Sequence, residues 1–280
     1  MAIVSEERFW HQLTSLHSGM GRVRLWTLDS PADVDDFMKN ANFASAIPFG
    51  AGTNSIGKDE DGAEVVRFSR AATPEILSDG RMAVSAGMML PKLADFAAEN
   101  GYGGLGALSG IPGAVGGAIA MNAGAHGTEI ADFLEEIRAV KLSDGADVVW
   151  KRGDGGFGYR RAPFGRDVLV TCAVLRLPKE GAVGEAKIAI SQERARRREA
   201  NPQGPSVGSI FRNPQGDYAG RLLEAAGCKG LSKGALVVSE KHANWILNPT
   251  ATPVCAADVL WLVEEMRRRV PGLLPEVRLE

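Results

Sequence analysis

A chain of 280 residues, 45% of them hydrophobic, can bury one large core or two to three small ones. Its net charge of −2 supplies no general attraction to nucleic acid or an anionic membrane, so a polyanionic partner would need a local basic site. The start, MAIVSEERFWHQL, lacks a basic stretch followed by an apolar one, and no run reaches the roughly eighteen apolar residues of a spanning helix. A cytoplasmic location without membrane insertion is expected. Cys172, Cys228 and Cys255 are odd in number, far apart and without C-x-x-C, which suits a reducing compartment and argues against zinc or a disulfide framework. All three are expected to be packing residues.

In chain order, residues 22–27 (RVRLWT) read as a strand. Ser30-Pro31 reads as an N-cap with proline at the first helical position, opening a helix to about Ala41. A short apolar run, 46–49, ends in Gly50-Ala51-Gly52-Thr53-Asn54-Ser55 before a strand at 64–68 (EVVRF). Such a loop lets successive backbone N–H groups converge on an anion such as a pyrophosphate, and it is equally a plain tight turn. After a strand (MAVSAG) and a helix (PKLADFAAEN) come residues 101–127, GYGGLGALSGIPGAVGGAIAMNAGAHG, with ten glycines in twenty-seven residues. Glycine at this density is tolerated where the main chain takes φ > 0 or lies against another surface. The segment reads as a wall around a large flat cofactor, with a self-packed glycine-rich core as the alternative. Its opening satisfies G-x-G-x-x-G, yet a dinucleotide-binding turn needs a strand before it. Here a helix precedes, with Pro91 in its first turn and Gly101 as its stop.

Strands are expected at 136–141, 147–150 and 168–177, which gives an α+β layout. Between the last two, GDGGFGYRR ends in Arg160 and Arg161, suited to a bidentate carboxylate or phosphate contact or to a solvated hairpin. Residues 186–200 read as a helix whose Arg194, Arg196, Arg197 and Arg198, interspersed with Glu193 and Glu199, form a solvated face; no nucleic-acid partner is expected. Asn201-Pro202-Gln203-Gly204-Pro205 is the best linker, and a new domain is expected to start there. A helix near 217–226 with Gly227 as its stop, a polar run SEKHAN and a strand at 245–248 follow. The helix at 256–270 places Val259, Leu260, Val263, Met266 and Val270 on one face and ends at Pro271-Gly272.

Several of these segments together resemble the UDP-N-acetylenolpyruvoylglucosamine reductase family. TSLHSGMG at 14–21 is similar to the family's N-terminal T-T-x-x-x-G-G, Gly50–Asn54 to its G-x-G-S-N loop, and SGIPGAVGGAIAMNAGAHG at 109–127 to its central flavin signature. FGYR at 157–160 is similar to its F-G-Y-R, GSIFRNP at 208–214 to its G-S-x-F-[KR]-N-P, and PEVR at 275–278 to its terminal P-E-V-R. Met20, Arg22 and Thr53 depart from the pattern.

The resemblance implies an α+β chain of two FAD-binding subdomains of the vanillyl-alcohol-oxidase type and a C-terminal α/β substrate-binding subdomain. Their implied bounds are 1–75, then 76–200 completed by 273–280, then 201–272. It implies non-covalent FAD, held by Gly50, Ala51, Gly52, Thr53, Asn54 and Ser55 on the pyrophosphate. Ser109, Gly110, Ile111, Pro112, Gly113, Gly116, Gly117, Asn122, Ala123 and Gly124 would lie along the ribityl chain and ring. NADPH is the implied co-substrate, and Tyr159, Arg212, Asn213, Lys241 and His242 are the implied contacts of a nucleotide sugar. Arg160 and Glu276 would stabilise an enolate and Ser209 protonate it. The 49 positions from Arg160 to Ser209 resemble the compact type of the family, without its extra tyrosine loop. A monomer is expected. The alternatives are a flavin- or nucleotide-sugar-binding protein without turnover and a dioxygen-using oxidase of the same flavin fold.

Overall fold

Alternation of buried and exposed side chains marks the start of the strand Arg22–Leu28 in the computed structural model, which describes residues 4–179 and 183–280. The chain begins β1 (Val4–Phe9), α1 (Trp10–Leu13), β2 (Arg22–Leu28), α2 (Asp33–Asn40), β3 (Ile47–Pro48), β4 (Ser55–Ile56) and β5 (Ala63–Phe68). It continues with β6 (Glu75–Ile76), β7 (Met82–Ser85), α3 (Leu90–Glu99), α4 (Val115–Ala120), β8 (Gly124–Ala125), β9 (Thr128–Glu129), β10 (Leu134–Lys141), β11 (Asp147–Lys151) and β12 (Val168–Leu175). The rest is α5 (Val183–Ala200), α6 (Ala219–Ala225), β13 (Ser232–Lys233), β14 (Leu236–Val238), β15 (Ile246–Leu247), α7 (Ala256–Arg269) and β16 (Arg278–Leu279).

The described chain divides into two compact units. The first holds residues 25–51 and 64–197 with the short N-terminal stretch to Glu6; the second holds 7–24, 52–63 and 198–280. β1, β2, β5 and β3 form one sheet in that order, with β3 parallel to β5, and in the first unit a second sheet runs β11-β10-β12-β7-β6. β12 is nearly continuously buried because it is the central strand, antiparallel to β10 on one side and β7 on the other. One core unites Leu93, Ala97, Leu108, Val115, Ile119, Ile137 and Val170. In the second unit, β13-β14-β15 form a small sheet, β16 pairs parallel with β4, and a separate core contains Ile210, Phe211, Leu223, Val259 and Met266.

Four expectations need correction. α2 starts at Asp33, not at Pro31, because the Asp33 carboxylate reaches back to the N–H groups of Asp29 (2.9 Å) and Ser30 (2.8 Å), which holds Ser30-Pro31 in a turn ahead of the helix. In α7 the buried stripe is Val259, Leu262, Val263 and Met266, while Leu260 is exposed. One residue on from Val259, Leu260 lies about 100° further round the helix. The arginine face of α5 is only half solvated. Arg194 donates to Pro91 O (2.9 Å) and Ser109 O (3.3 Å) and pairs with Asp95 (3.0 Å), and the stem of Arg197 lies over Gly110, where burial lowers its pKa. Long arginine stems cover apolar surface while their heads find partners. Of the cysteines, Cys228 is buried but Cys255, expected to pack, is exposed at the start of α7.

Candidate active site

In the first unit the glycine-rich segment follows α3, whose C-cap is Asn100, and Gly101 turns out of the helix at φ +78°; no strand precedes it. Leu105, Leu108, Val115 and Ile119 point into the unit's own core. Many of the glycines are likewise explained by protein atoms. A Cβ on Gly104 would meet Phe133 at 2.7 Å, one on Gly110 would meet Arg197 at 2.6 Å, and one on Gly116 would meet Ala86 at 3.0 Å. Self-packing therefore accounts for much of the glycine density, and the segment is not simply a wall. Gly50 and Gly117 approach backbone to backbone, and a Cβ on Gly50 would stand 3.6 Å from Gly117 Cα, an ordinary van der Waals contact. That approach joins the two cofactor-like segments found in the sequence.

Arg160 sits at the third position of a tight turn. Gly158 and Arg161 exchange backbone hydrogen bonds of 3.0 and 2.9 Å, and Arg160 has φ +53°, a region where glycine or asparagine is usual. Its guanidinium lies 4.9 Å from the centre of the half-exposed Tyr159 ring, and Nη2 donates to Gly124 O at 3.4 Å. Asn122, expected on the cofactor, is completely buried, and its carboxamide already has three protein partners: Glu129, Gly158 and Ala131.

In the second unit, Gly208 turns at φ +76° with open space at its Cα, and half-buried Ser209 leads into a strip, 210–212, that is held on both sides. On one side Phe211 pairs antiparallel with Pro275, Glu276 N–H donates to Ile210 O (2.8 Å), and Arg212 N–H donates to Leu274 O (2.9 Å). The segment of Ser209 is thereby laid beside that of Glu276. On the other side buried Asn244 accepts from Phe211 N–H (2.9 Å) and donates to Phe211 O (2.8 Å), while its own carbonyl accepts from Ile210 N–H (2.9 Å). Asn244 was not among the residues expected from sequence; the polar run SEKHAN was its only signal.

The loop at Gly52 belongs to the same unit. Gly52 has φ +72°, and a Cβ there would stand 1.9 Å from Leu13 O, so no other residue fits. The N–H groups of Gly52, Thr53 and Asn54 donate to no acceptor among the described residues. Three successive unpaired amides are what an anion-binding nest offers. Asn54 instead binds through its side chain and carbonyl, to Glu276 O (3.2 Å) and Arg278 N–H (2.9 Å), and buried Ser55 donates its hydroxyl to the Glu280 carboxylate (2.5 Å).

The expected sugar contacts are dispersed in role. Asn213 Oδ1 accepts from Ala219 N–H (3.0 Å) at the start of α6. The His242 ring packs on Gly220, and its Nδ1 accepts from Asn244 N–H (3.2 Å), with burial lowering its pKa. Lys241 is exposed, with Nζ 3.5 Å from Arg198 O. Arg212 Nε is buried without a hydrogen-bond partner among the described residues, as a guanidinium prepared for an absent anion would be.

The chain is a flavoprotein: residues 25–149 match the model described as "FAD binding domain". Residues 200–274 match "UDP-N-acetylenolpyruvoylglucosamine reductase, C-terminal domain". The chain is 41% identical to the UDP-N-acetylenolpyruvoylglucosamine reductase of Acidiphilium cryptum over 86% of this chain and 78% of that protein. With the enzyme of that name from Thermotoga maritima it shares 36% over 92% and 90%. The crystal structure of the Thermus caldophilus reductase superimposes with a TM-score of 0.86 at 32% identity, covering 99% of both chains. The chain belongs to the UDP-N-acetylenolpyruvoylglucosamine reductase family.

Among the described residues no cluster of metal ligands is present, and no helix is long and apolar enough to cross a membrane.

Proposed function

We propose that this chain reduces the enolpyruvyl group of UDP-N-acetylglucosamine enolpyruvate to give UDP-N-acetylmuramate in peptidoglycan precursor synthesis, with NADPH as the hydride donor. The observation that carries the residue roles is the pairing of the strip after Ser209 with the segment of Glu276, which gives both side chains a common backbone frame. Bound FAD would supply the hydride chemistry between the nicotinamide and the enolpyruvyl alkene. Gly52, Thr53 and Asn54 would hold its pyrophosphate through their backbone amides. Addition to the alkene places charge on the adjacent carbon and its carboxylate, so the site needs fixed positive charge and a donor. Arg160 supplies the charge, and Glu276 is assigned with it to the stabilisation of the enolate. Ser209 gives its proton to the carbon of the enolate and is re-supplied by water. Arg212, with its orphaned Nε, is the best-supported contact for the diphosphate, and Asn213, Lys241, His242 and Tyr159 complete the proposed set. The finer architecture goes with this reading: two flavin-binding subdomains, a substrate-binding subdomain and the compact type of the family, as a monomer.

The test separates the two half-reactions by rapid mixing. Ser209→Ala should leave flavin reduction by NADPH nearly intact and slow reoxidation by the enolpyruvyl nucleotide sugar at least about a hundredfold, the low end for a lost general acid. Reoxidation at the parent rate, or loss of the first half-reaction instead, would remove Ser209 as the proton donor.

A further inference from the structure

Resting on the assignment of charge stabilisation to Arg160, we propose that Asn122 is a positioning residue: with Glu129 behind it, it fixes the turn that aims the Arg160 guanidinium. Asn122 is 0% exposed, and a carboxamide has two N–H donors and one oxygen. Nδ2 donates to Glu129 Oε2 at 2.5 Å and to Gly158 O at 3.1 Å, while Oδ1 accepts from Ala131 N–H at 3.3 Å. Both donors are thus taken by protein, and the donor and acceptor partners fix which way the carboxamide faces.

Gly158 O is no incidental acceptor, because the same carbonyl receives Arg161 N–H and so closes the turn at whose third position Arg160 stands. A non-glycine residue at φ +53° lies in the left-handed region, where an L side chain carries a penalty of roughly 1–2 kcal/mol. Such a conformation persists when its surroundings over-determine it. Here the surroundings are specific. β8 and β9 form a hairpin whose two linking residues, His126 and Gly127, both have positive φ, the pairing that matches strand twist. That hairpin returns Glu129 across Gly124 to Asn122, and a Cβ on Gly124 would meet Glu129 Cγ at 2.8 Å. Gly124 O meanwhile receives Arg160 Nη2. The short glycine-rich stretch from 122 to 129 therefore holds the arginine at two points, its turn through Asn122 and its guanidinium through Gly124.

The test compares Asn122→Ala, Glu129→Ala, Arg160→Ala and the double variant Asn122→Ala with Arg160→Ala, all loaded with FAD. Asn122→Ala should slow flavin reoxidation by the enolpyruvyl nucleotide sugar at least about tenfold, within the loss that a small misplacement of a reacting group produces. Reduction by NADPH should change little, and the double variant should reoxidise no slower than Arg160→Ala alone. A residue that only stabilises the fold would add its loss on top of that of Arg160→Ala. Independently of turnover, amide hydrogen exchange in the 157–162 segment should accelerate in Asn122→Ala, with or without FAD. Should Asn122→Ala fail to fold, Glu129→Ala removes one of its three bonds and is expected to shift the same two readouts in the same direction. Losses that add in the double variant, or unchanged exchange at 157–162, would overturn the proposal. Arg160→Ala reoxidising at the parent rate would instead remove the assignment on which it rests.

Discussion

Replacing Asn244 tests whether one buried carboxamide holds the strip that follows Ser209. Phe211 is 1% exposed, and both of its backbone polar groups are bonded to the Asn244 side chain. Asn244→Ala leaves an N–H and a C=O buried without partners, each costing roughly 1–3 kcal/mol, for a total of about 2–6 kcal/mol. Against a native stability of about 5–15 kcal/mol that is a large fraction. Asn244→Asp is the sharper variant because it keeps the shape. One oxygen still accepts from Phe211 N–H, but the other now faces Phe211 O with nothing to donate. Asn244→Asp should therefore lose at least about 1 kcal/mol, the lower bound for one buried group left unmade. Urea unfolding should show a lower midpoint at an unchanged slope for both variants. If Asn244→Asp unfolds within about 0.5 kcal/mol of the parent, the range of an ordinary surface change, the bond to Phe211 O carries no stability and the reasoning fails.

Gly52→Ala should lower the melting temperature and the flavin content of the purified protein. Left-handed backbone alone costs an alanine roughly 1–2 kcal/mol, and its Cβ would displace Leu13 O besides; an unchanged melt and full flavin absorbance would count against the tight loop. His242 yields a pH prediction. Burial is the largest cause of its lowered pKa, with Lys229 acting in the same direction and Glu224 against it. The folded imidazole takes up a proton less readily than the unfolded one, so its contribution is present above the unfolded value of 6.5 and is lost as pH falls below it. Protonation also removes Nδ1 as the acceptor for Asn244 N–H. Stability measured between pH 7.5 and 5.5 should fall more steeply in the parent than in His242→Asn, whose carbonyl accepts without titrating. Equal slopes would exclude His242 as the source.

Much of the architecture was legible because it depends on periodicity. The spacing of Val259, Val263 and Met266 marked α7, residues 168–177 read as the strand that is β12, and Gly101 marked the end of α3. Side-chain partners across the fold were not legible. Nothing local distinguishes Asn122 and Asn244, whose bonds reach Gly158 and Phe211, from asparagines in surface turns. The glycines mislead for a related reason: a sequence records that a Cβ is missing, but not whether Phe133, Arg197 or a ligand takes the space. In α5 the charges of Arg194 and Arg197 gave no sign that their stems would be covered.

The second unit is assembled from three separated stretches, and its parallel pair joins Ser55 to Arg278. Closing a loop of that span rather than one sixteen times shorter involves four doublings in length, roughly 2.4 kcal/mol of chain entropy at about 0.6 each. That penalty precedes any reward from pairing, so this contact belongs to the late part of folding. During synthesis, residues 25–51 and 64–197 can pack among themselves, and residues 52–63 find early partners such as Ser15 and Gly21, while the pairing of Ser55 and Ile56 with residues 278–279 waits for a segment more than two hundred positions later. Asn54 and Ser55, at the end of the loop that carries Gly52, would thus acquire their final partners only when the segment of Glu276 has left the ribosome. A nascent chain halted near residue 200 would hold the larger unit without that support, and flavin retention by chains arrested at successive lengths would report the order directly.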